Sequence, residues 1–453
     1  MRDKKYILLV ALHILIGILI YLFRPLSKAY CIAMLAYGVY FVIKSRNRNN
    51  EVLYISAYIV GSEVFLRMTG GNLLYETSKY GVMIFSALGM YYSGLSKNTV
   101  PFWIYLLLLL PGVIVATDAL NLSTEIRKAI AFNISGPVCL GVSAIYCYNR
   151  KILLSQVNDI LLALALPVFA TTVYLILYTP DLKEILVGTG SNNETSGGFG
   201  PNQVATLLGV GMFVFFSRLI LESKSKVQFV INLIILFNIT YRGLVTFSRG
   251  GMVTGFVMII IFLFYLVIKT KSQGKYNLYR IIAFMSVAFL LTWLYTSNQT
   301  GGLINKRYAN KDAAGRVKES QLTGREEIWD SEIEDFLDSP VFGIGVAKAL
   351  EVREVKTGGA IIASHSEISR TLAEHGAVGI VALLIVFFTP IFLFLDNKQN
   401  IYTFSFLLFW ILTINHAAMR IAAPAFVYSL SLLKVYINDG PSLPNKQTPK
   451  QEK

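Results

Sequence analysis

Apolar runs follow one another along almost the whole chain, each close to the length of about 20 residues that carries an α-helix across a roughly 30 Å hydrocarbon layer. Of the 453 residues, 54% are hydrophobic and only 15% charged, whereas soluble domains are about a quarter charged. A water-soluble fold is a poor fit to such a chain.

The runs extend from Tyr6 to Phe23, Ser27 to Ile43, Val52 to Leu66, Tyr80 to Gly94, Pro101 to Thr117, Ala129 to Tyr148 and Val157 to Tyr178. They continue from Asn202 to Leu221, Val227 to Phe247, Met252 to Ile268 and Tyr279 to Tyr295, and, after a long polar stretch, from Gly376 to Leu395, Ile401 to Ile414 and Ala422 to Ile437. The third, fourth and thirteenth are short or broken by polar residues. The expected fold is therefore an all-α polytopic membrane protein of about 12–14 transmembrane helices with one large, partly helical loop.

Lys and Arg in the short loops set the orientation. With the N-terminus in the cytoplasm, alternation through these spans places about 20 basic residues on the cytoplasmic side, among them Lys44, Arg46, Lys224 and Lys269, against about 10 opposite. Both termini are expected inside, and the net charge of +14 reads as a topology signal, with no nucleic acid as partner. The first run ends at Phe23-Arg24-Pro25 without a small-residue cleavage site and reads as a retained helix. Cys31, Cys139 and Cys147 lie in or beside apolar segments and fit packing better than a disulfide or zinc site. The expected organisation is a bundle of about 11 helices over 1–295, an extracytoplasmic loop over 296–375, further helices over 376–438, and a cytoplasmic tail without fixed structure over 439–453.

The loop carries ten basic and thirteen acidic residues, and its length argues for a folded cap. Ile328, Trp329, Ile333, Phe336 and Leu337 recur at helical spacing, with Glu326 and Glu327 at the start, where the helix dipole favours acids. Ser364-His365-Ser366-Glu367 fits a capping box and predicts a second helix that stops at Gly376. His365 then stands in a first helical turn, where the dipole favours neutral imidazole able to accept a proton; it reads equally as a solvated residue beside a cap. The acids from Glu332 to Asp335 are expected on a solvated face.

Two further clusters stand out. Arg249, in Ser248-Arg249-Gly250-Gly251, and Arg242 lie inside or at the ends of apolar runs, where charge is expensive and marks sites. They suit phosphate oxygens, although Arg249 can equally reach the interface from a helix end. The Gly-rich stretch through Gly200-Pro201-Asn202-Gln203 precedes a helix and either cradles phosphate or connects two spans.

In order, Gly200-Pro201-Asn202-Gln203, Ser248-Arg249-Gly250, Gly324-Arg325 with Trp329, Asp338-Ser339-Pro340-Val341-Phe342-Gly343-Ile344-Gly345, and His365 with Glu374-His375-Gly376-Ala377-Val378-Gly379 resemble the O-antigen ligase and polymerase superfamily. The resemblance covers roughly 195–395; earlier residues match only as apolar helices. One departure is Ser366, where the family often has Asn.

The resemblance implies a bacterial inner-membrane glycosyltransferase that moves glycan from an undecaprenyl-pyrophosphate donor to a sugar hydroxyl of lipid A-core or of a second lipid-linked glycan. It implies His365, Arg325 and Arg249 as catalytic residues. Arg242, Asn202 and Gln203 are expected to bind pyrophosphate or glycan. Fixed cations suit a developing pyrophosphate charge, and a base suits the acceptor hydroxyl. Inversion at the anomeric carbon follows from direct displacement. No cofactor or metal is expected: the first outer connection, Arg24 to Ser27, is too short for an acidic metal-binding loop. The alternative is a polysaccharide flippase or other transporter, which would show internal repeats and a mid-membrane site.

Overall fold

The structure, a computed structural model, describes residues 2–96, 98–179, 181–318, 325–356 and 364–437, of which Arg2, Gln273 and Arg325 are described by backbone alone. Gly324 and the tail 439–453 lie outside the described residues.

The chain runs through α1 (Arg2–Leu22), α2 (Leu26–Ser45), α3 (Glu51–Thr69), α4 (Thr77–Ser93), α5 (Val100–Leu108), α6 (Leu110–Ala119), α7 (Ile126–Cys147) and α8 (Leu154–Tyr178). It continues through α9 (Pro201–Leu221), α10 (Lys226–Val245), α11 (Arg249–Lys269), α12 (Ser272–Gln299) and α13 (Leu303–Tyr308). The loop helices α14 (Arg325–Asp338) and α15 (Lys348–Lys356) follow, then α16 (Glu367–Asp396), α17 (Thr403–Ile414) and α18 (Ala423–Leu430). Strands β1 (Lys151–Leu153) and β2 (Lys434–Tyr436) pair in parallel.

This is an all-α polytopic membrane protein. Among the described residues, eleven helical segments are long and apolar enough to cross a membrane, with α5 and α6 forming one of them. The three other apolar runs fold as the shorter helices α4, α17 and α18. After α18 the backbone leaves the helical path, because Lys434–Tyr436 pairs with the strand that follows α7.

The alternation of loops is consistent in three dimensions. At one end of the bundle Gln228 bonds Asp3 at 2.7 Å, Asn158 bonds Glu222 at 2.7 Å, Arg150 reaches the Gly94 carbonyl at 2.8 Å and Asn397 the Val435 carbonyl at 3.1 Å. At the other end Thr189 bonds the Lys311 carbonyl at 2.9 Å and Arg420 the Ser364 carbonyl at 2.6 Å, so the long loop sits with the connections that precede α9 and α18.

α3, α8, α9 and the short α18 are the most buried helices, whereas α12 is mostly exposed along its apolar surface. In lipid, apolar side chains gain nothing by leaving one another's company, so tight association needs small residues that let backbones approach. Gly61 lies against the Leu164 backbone and joins α3 to α8. Gly251 and Gly255, one turn apart on α11, face the backbone of α9, where a Cβ on Gly255 would stand 2.5 Å from the Gly209 oxygen.

The helix expected to stop at Gly376 does break there: Gly376 takes the non-helical angles φ +62° and ψ −148°, so α16 consists of two helical segments, one on either side of a kink at this residue. The kink is held from outside: Ala377 N–H donates to the Pro340 carbonyl at 2.8 Å, and Ile344 N–H to the Ala373 carbonyl at 2.8 Å. Gly343, with φ +72°, lies so close to the Glu374–His375 peptide that a side chain would overlap it.

The α9–α11 contact sets the position of Ser248 and Arg249 at the start of α11. Gly251→Ala should lower the thermal midpoint of the protein in detergent, the overpacking costing roughly 1–3 kcal/mol. Gly188→Ala, with nothing within 4 Å of the new carbon, should leave it unchanged.

Candidate functional site

Of the acids from Glu332 to Asp335 expected on a solvated face of α14, only Glu334 is exposed. Glu332 is 0% exposed and Asp335 is buried too, because both lie on the stripe that packs against α16. Glu332 accepts from Arg353 Nη1 at 2.7 Å, Ser369 Oγ at 2.5 Å and Ser364 Oγ at 3.2 Å. One carboxylate thus ties α14, α15 and the start of α16 together. Burial pushes the Asp335 carboxyl above the ordinary carboxylate range, against the pull of Lys356 and Arg353.

His365 stands beside this knot, one residue outside the helix. The N-cap is Ser366, whose side chain accepts from Ser369 N–H at 3.4 Å, so the capping box beginning at Ser364 does not form. Ser364 Oγ accepts Ser366 N–H and faces Glu332 instead. His365 is half-buried and lines a cleft of about 400 Å³ with Glu326, Trp329 and Asp330 of α14 and Asn415 at the end of α17.

The turn between α17 and α18 brings this histidine to the arginine end of α11. Ala418 N–H donates to the His365 carbonyl at 3.1 Å. In the same turn, the His416 ring packs on Gly250 and its Nε2 lies 3.1 Å from Thr206 Oγ1 on α9. Arg420 donates to the Ser364 carbonyl at 2.6 Å and accepts at its own carbonyl from Arg67 at 3.3 Å. The buried Glu63 fixes the same turn, accepting from Arg67 at 2.8 Å and from Ala422 N–H at 2.7 Å.

At the start of α11, Ser248 Oγ bonds Asn202 Oδ1 at 2.7 Å, so the Asn202 side chain holds the two helix starts together. Gln203 Oε1 is buried without a hydrogen-bond partner among the described residues. Arg249 is half-buried, with Nη1 3.4 Å from the Arg307 carbonyl. Burial pushes the Tyr308 hydroxyl up to about 12, although the charges of Arg249 and Arg307 pull it down. Arg242 is buried in the last turn of α10; Nη2 donates to the Thr179 carbonyl at 3.0 Å, and Nε and Nη1 have no partner among the described residues. Its described partner lies on the segment after α8, not at the His365 cleft. Arg325 opens α14 four residues before Trp329, and its side chain lies outside the described residues.

A second buried cluster escaped the sequence reading. Arg370 pairs with Glu367 and reaches Asn133 Oδ1 at 2.5 Å and Glu374 at 3.9 Å. Glu374 in turn accepts Ala347 N–H at 2.9 Å. The signal was present: Glu367, Arg370 and Glu374 repeat at helical spacing as a helix enters an apolar run, as do Glu63 and Arg67 in the third run, and charge there marks structure or function. Among the described residues no three His, Cys, Asp or Glu side chains are grouped to hold a metal ion.

Residues 231–384 match the sequence model of the family described as O-antigen ligase, a stretch that contains Ser248, Arg249, Arg325, Trp329 and His365. A protein of Haemophilus influenzae described as uncharacterized is 27% identical over 167 residues, which is 34% of this chain and 40% of that protein. The chain therefore resembles the O-antigen ligase and polymerase superfamily in the region that carries the cleft, and the match supports a glycosyltransferase-like membrane protein of polysaccharide synthesis.

The Glu332 knot is what holds α14 over His365. Glu332→Ala should loosen the loop, at about 3–5 kcal/mol for breaking a buried ion pair, and show as faster proteolysis between α14 and α16 and a lower thermal midpoint. Glu334→Ala, which removes only an exposed pair with Lys356, should change neither.

Proposed function

We propose, starting from the O-antigen ligase match over residues 231–384, that this chain transfers glycan from undecaprenyl pyrophosphate to a sugar hydroxyl at the His365 cleft. The reading places it in the bacterial inner membrane, both termini cytoplasmic, with residues 296–375 as a periplasmic cap between the membrane parts 1–295 and 376–438. The observation that carries it is the turn at 415–421. That turn bonds the His365 carbonyl on one side and packs on Gly250, next to Arg249, on the other, and so supports one site built from two distant motifs.

In this reading the acceptor oxygen attacks the anomeric carbon of the donor as the bond from that carbon to the pyrophosphate oxygen breaks. The electron pair leaves with the lipid pyrophosphate, and the hydroxyl proton passes to the His365 imidazole. The displacement inverts the anomeric centre. Arg249 and Arg325 offset the negative charge growing on the leaving group, where fixed cations in a water-poor site act most strongly. The buried donors left on Arg242 support a role in holding an anion, and the buried oxygen of Gln203 a bond from a hydroxyl. Asn202 acts through Ser248, setting where α11 begins. No step in this scheme requires a metal or cofactor. The acceptor is lipid A-core for a ligase, or a second lipid-linked glycan for a polymerase.

The test is conversion of a lipid-linked oligosaccharide by the purified protein in detergent with EDTA, offered each acceptor in turn. Wild type should yield product with one acceptor, and His365→Ala should lose about 100-fold or more of the rate, the scale of a missing general base. Absence of product with both acceptors, from protein that binds the donor, would overturn transfer in favour of transport.

A further inference from the structure

The turn that links α17 to α18 sends one side chain into the cleft at His365. From Thr413 to Met419 every residue is buried except Asn415, which lines the cleft of about 400 Å³ together with His365 and Trp329. That volume falls within the roughly 300–1,000 Å³ range of small-molecule sites. Asn415 lies beyond residues 231–384, so the family match assigns it nothing, and the transfer scheme leaves it unused.

The Asn415 carboxamide is held in one orientation. Its backbone N–H donates to the Leu412 carbonyl at 3.3 Å, which leaves the Ile411 carbonyl, the regular partner one turn back, to the side chain; Nδ2 donates there at 2.8 Å. Oδ1 accepts no hydrogen bond among the described residues. A carboxamide carries two donors and an acceptor, so with one donor tied to the helix it still presents a donor and an acceptor, the two functions that the hydroxyls of a pyranose ring match.

The backbone fixes this side chain relative to His365. Ala418, three residues on, donates to the His365 carbonyl at 3.1 Å, and does so from φ +49°, a left-handed conformation unfavourable for a residue with a Cβ. Such strain persists only where the surroundings over-determine it, and it gathers at ligand sites. Charged residues border the cleft as well: Glu326 and Asp330 on α14, with Arg325 at the first position of that helix. Their balance does not decide the role of Asn415, because a neutral amide recognises hydroxyls through the placement of its donor and acceptor.

We propose that Asn415 binds a hydroxyl of the acceptor sugar beside the one that reacts, and so selects which hydroxyl faces the His365 imidazole and which linkage is made. This rests on the transfer reading. Asn415 takes no part in bond making; a second point of attachment raises the share of bound acceptor whose reacting oxygen lies within reach of the base.

The test uses purified full-length wild type, Asn415→Ala and Asn415→Ser, with the acceptor that supports transfer and a set of its monodeoxy analogues. Asn415→Ala should lower kcat/KM for the intact acceptor about threefold to tenfold, the scale of one hydrogen bond, and its product should contain a second linkage. Asn415→Ser, which keeps a hydroxyl able to donate and accept, should recover part of the loss. With the analogue that lacks the contacted hydroxyl, wild type and Asn415→Ala should transfer at the same rate, whereas a merely structural role would slow every acceptor alike. An equal loss with all analogues, a change confined to the donor KM, or no change overturns the proposal and leaves transfer standing. Where wild type transfers to neither acceptor, the transfer reading fails by itself, and calorimetric titration with the soluble oligosaccharides released from both acceptors decides on Asn415. Weaker binding by Asn415→Ala then supports a sugar contact at this residue, and equal or absent binding overturns it.

Discussion

Glu63 and Glu332 sit in different helices, are each at most 1% exposed, and gather donors from elements far apart in sequence. Glu63 holds Arg67 of its own helix and the backbone of Ala422. Glu332 holds Arg353, Ser364 and Ser369. An ionised carboxylate away from water is several kcal/mol unfavourable unless its oxygens are matched, so each dictates the position of whatever supplies its partners. Between them lies Arg420, which touches Arg67 through its carbonyl and Ser364 through its guanidinium. His365 is held at the meeting point of these two polar knots.

The apolar bundle supplies the other half of that precision. Hydrophobic side chains in lipid set no register, and the helices lock through glycines where backbone meets backbone. Gly251 and Gly255 bring α11 onto α9, which places Ser248 against Asn202 and Gly250 beneath His416. The Gly376 kink, braced by Pro340 and Ile344, turns the first two turns of α16 out of the apolar path so that Glu367, Arg370 and Glu374 face one another and not lipid. Polar order at one end therefore depends on close packing along the spans.

A glycan-transferring site needs an opening large enough for sugar, a base, and cations beyond reach of bulk water. His365 and the cleft it lines lie at the loop and the end of α17, while Arg242 and Arg249 belong to α10 and α11. The family match covers the stretch in which all three residues fall.

The sequence by itself determined the all-α membrane class, because runs of about 20 apolar residues admit no other economical use of their backbone groups. It also determined the alternation of loops, the existence of α14 through the spacing of Ile328, Trp329, Ile333 and Phe336, and the order of motifs that resembles the superfamily. Only the tertiary structure decided that Glu332 and Asp335 are buried, since an amphipathic pattern identifies a face and not what covers it. It decided that Ser366, not Ser364, caps α16, and how the two segments of α16 meet at the Gly376 break, because both depend on bonds from Glu332 and Pro340, which are remote in sequence or lie on another element. It alone brought the turn at 415–421 between His365 and Gly250. Contacts across such separations are made by packing and by the need of each buried charge for a partner, and neither leaves a periodic trace along the chain.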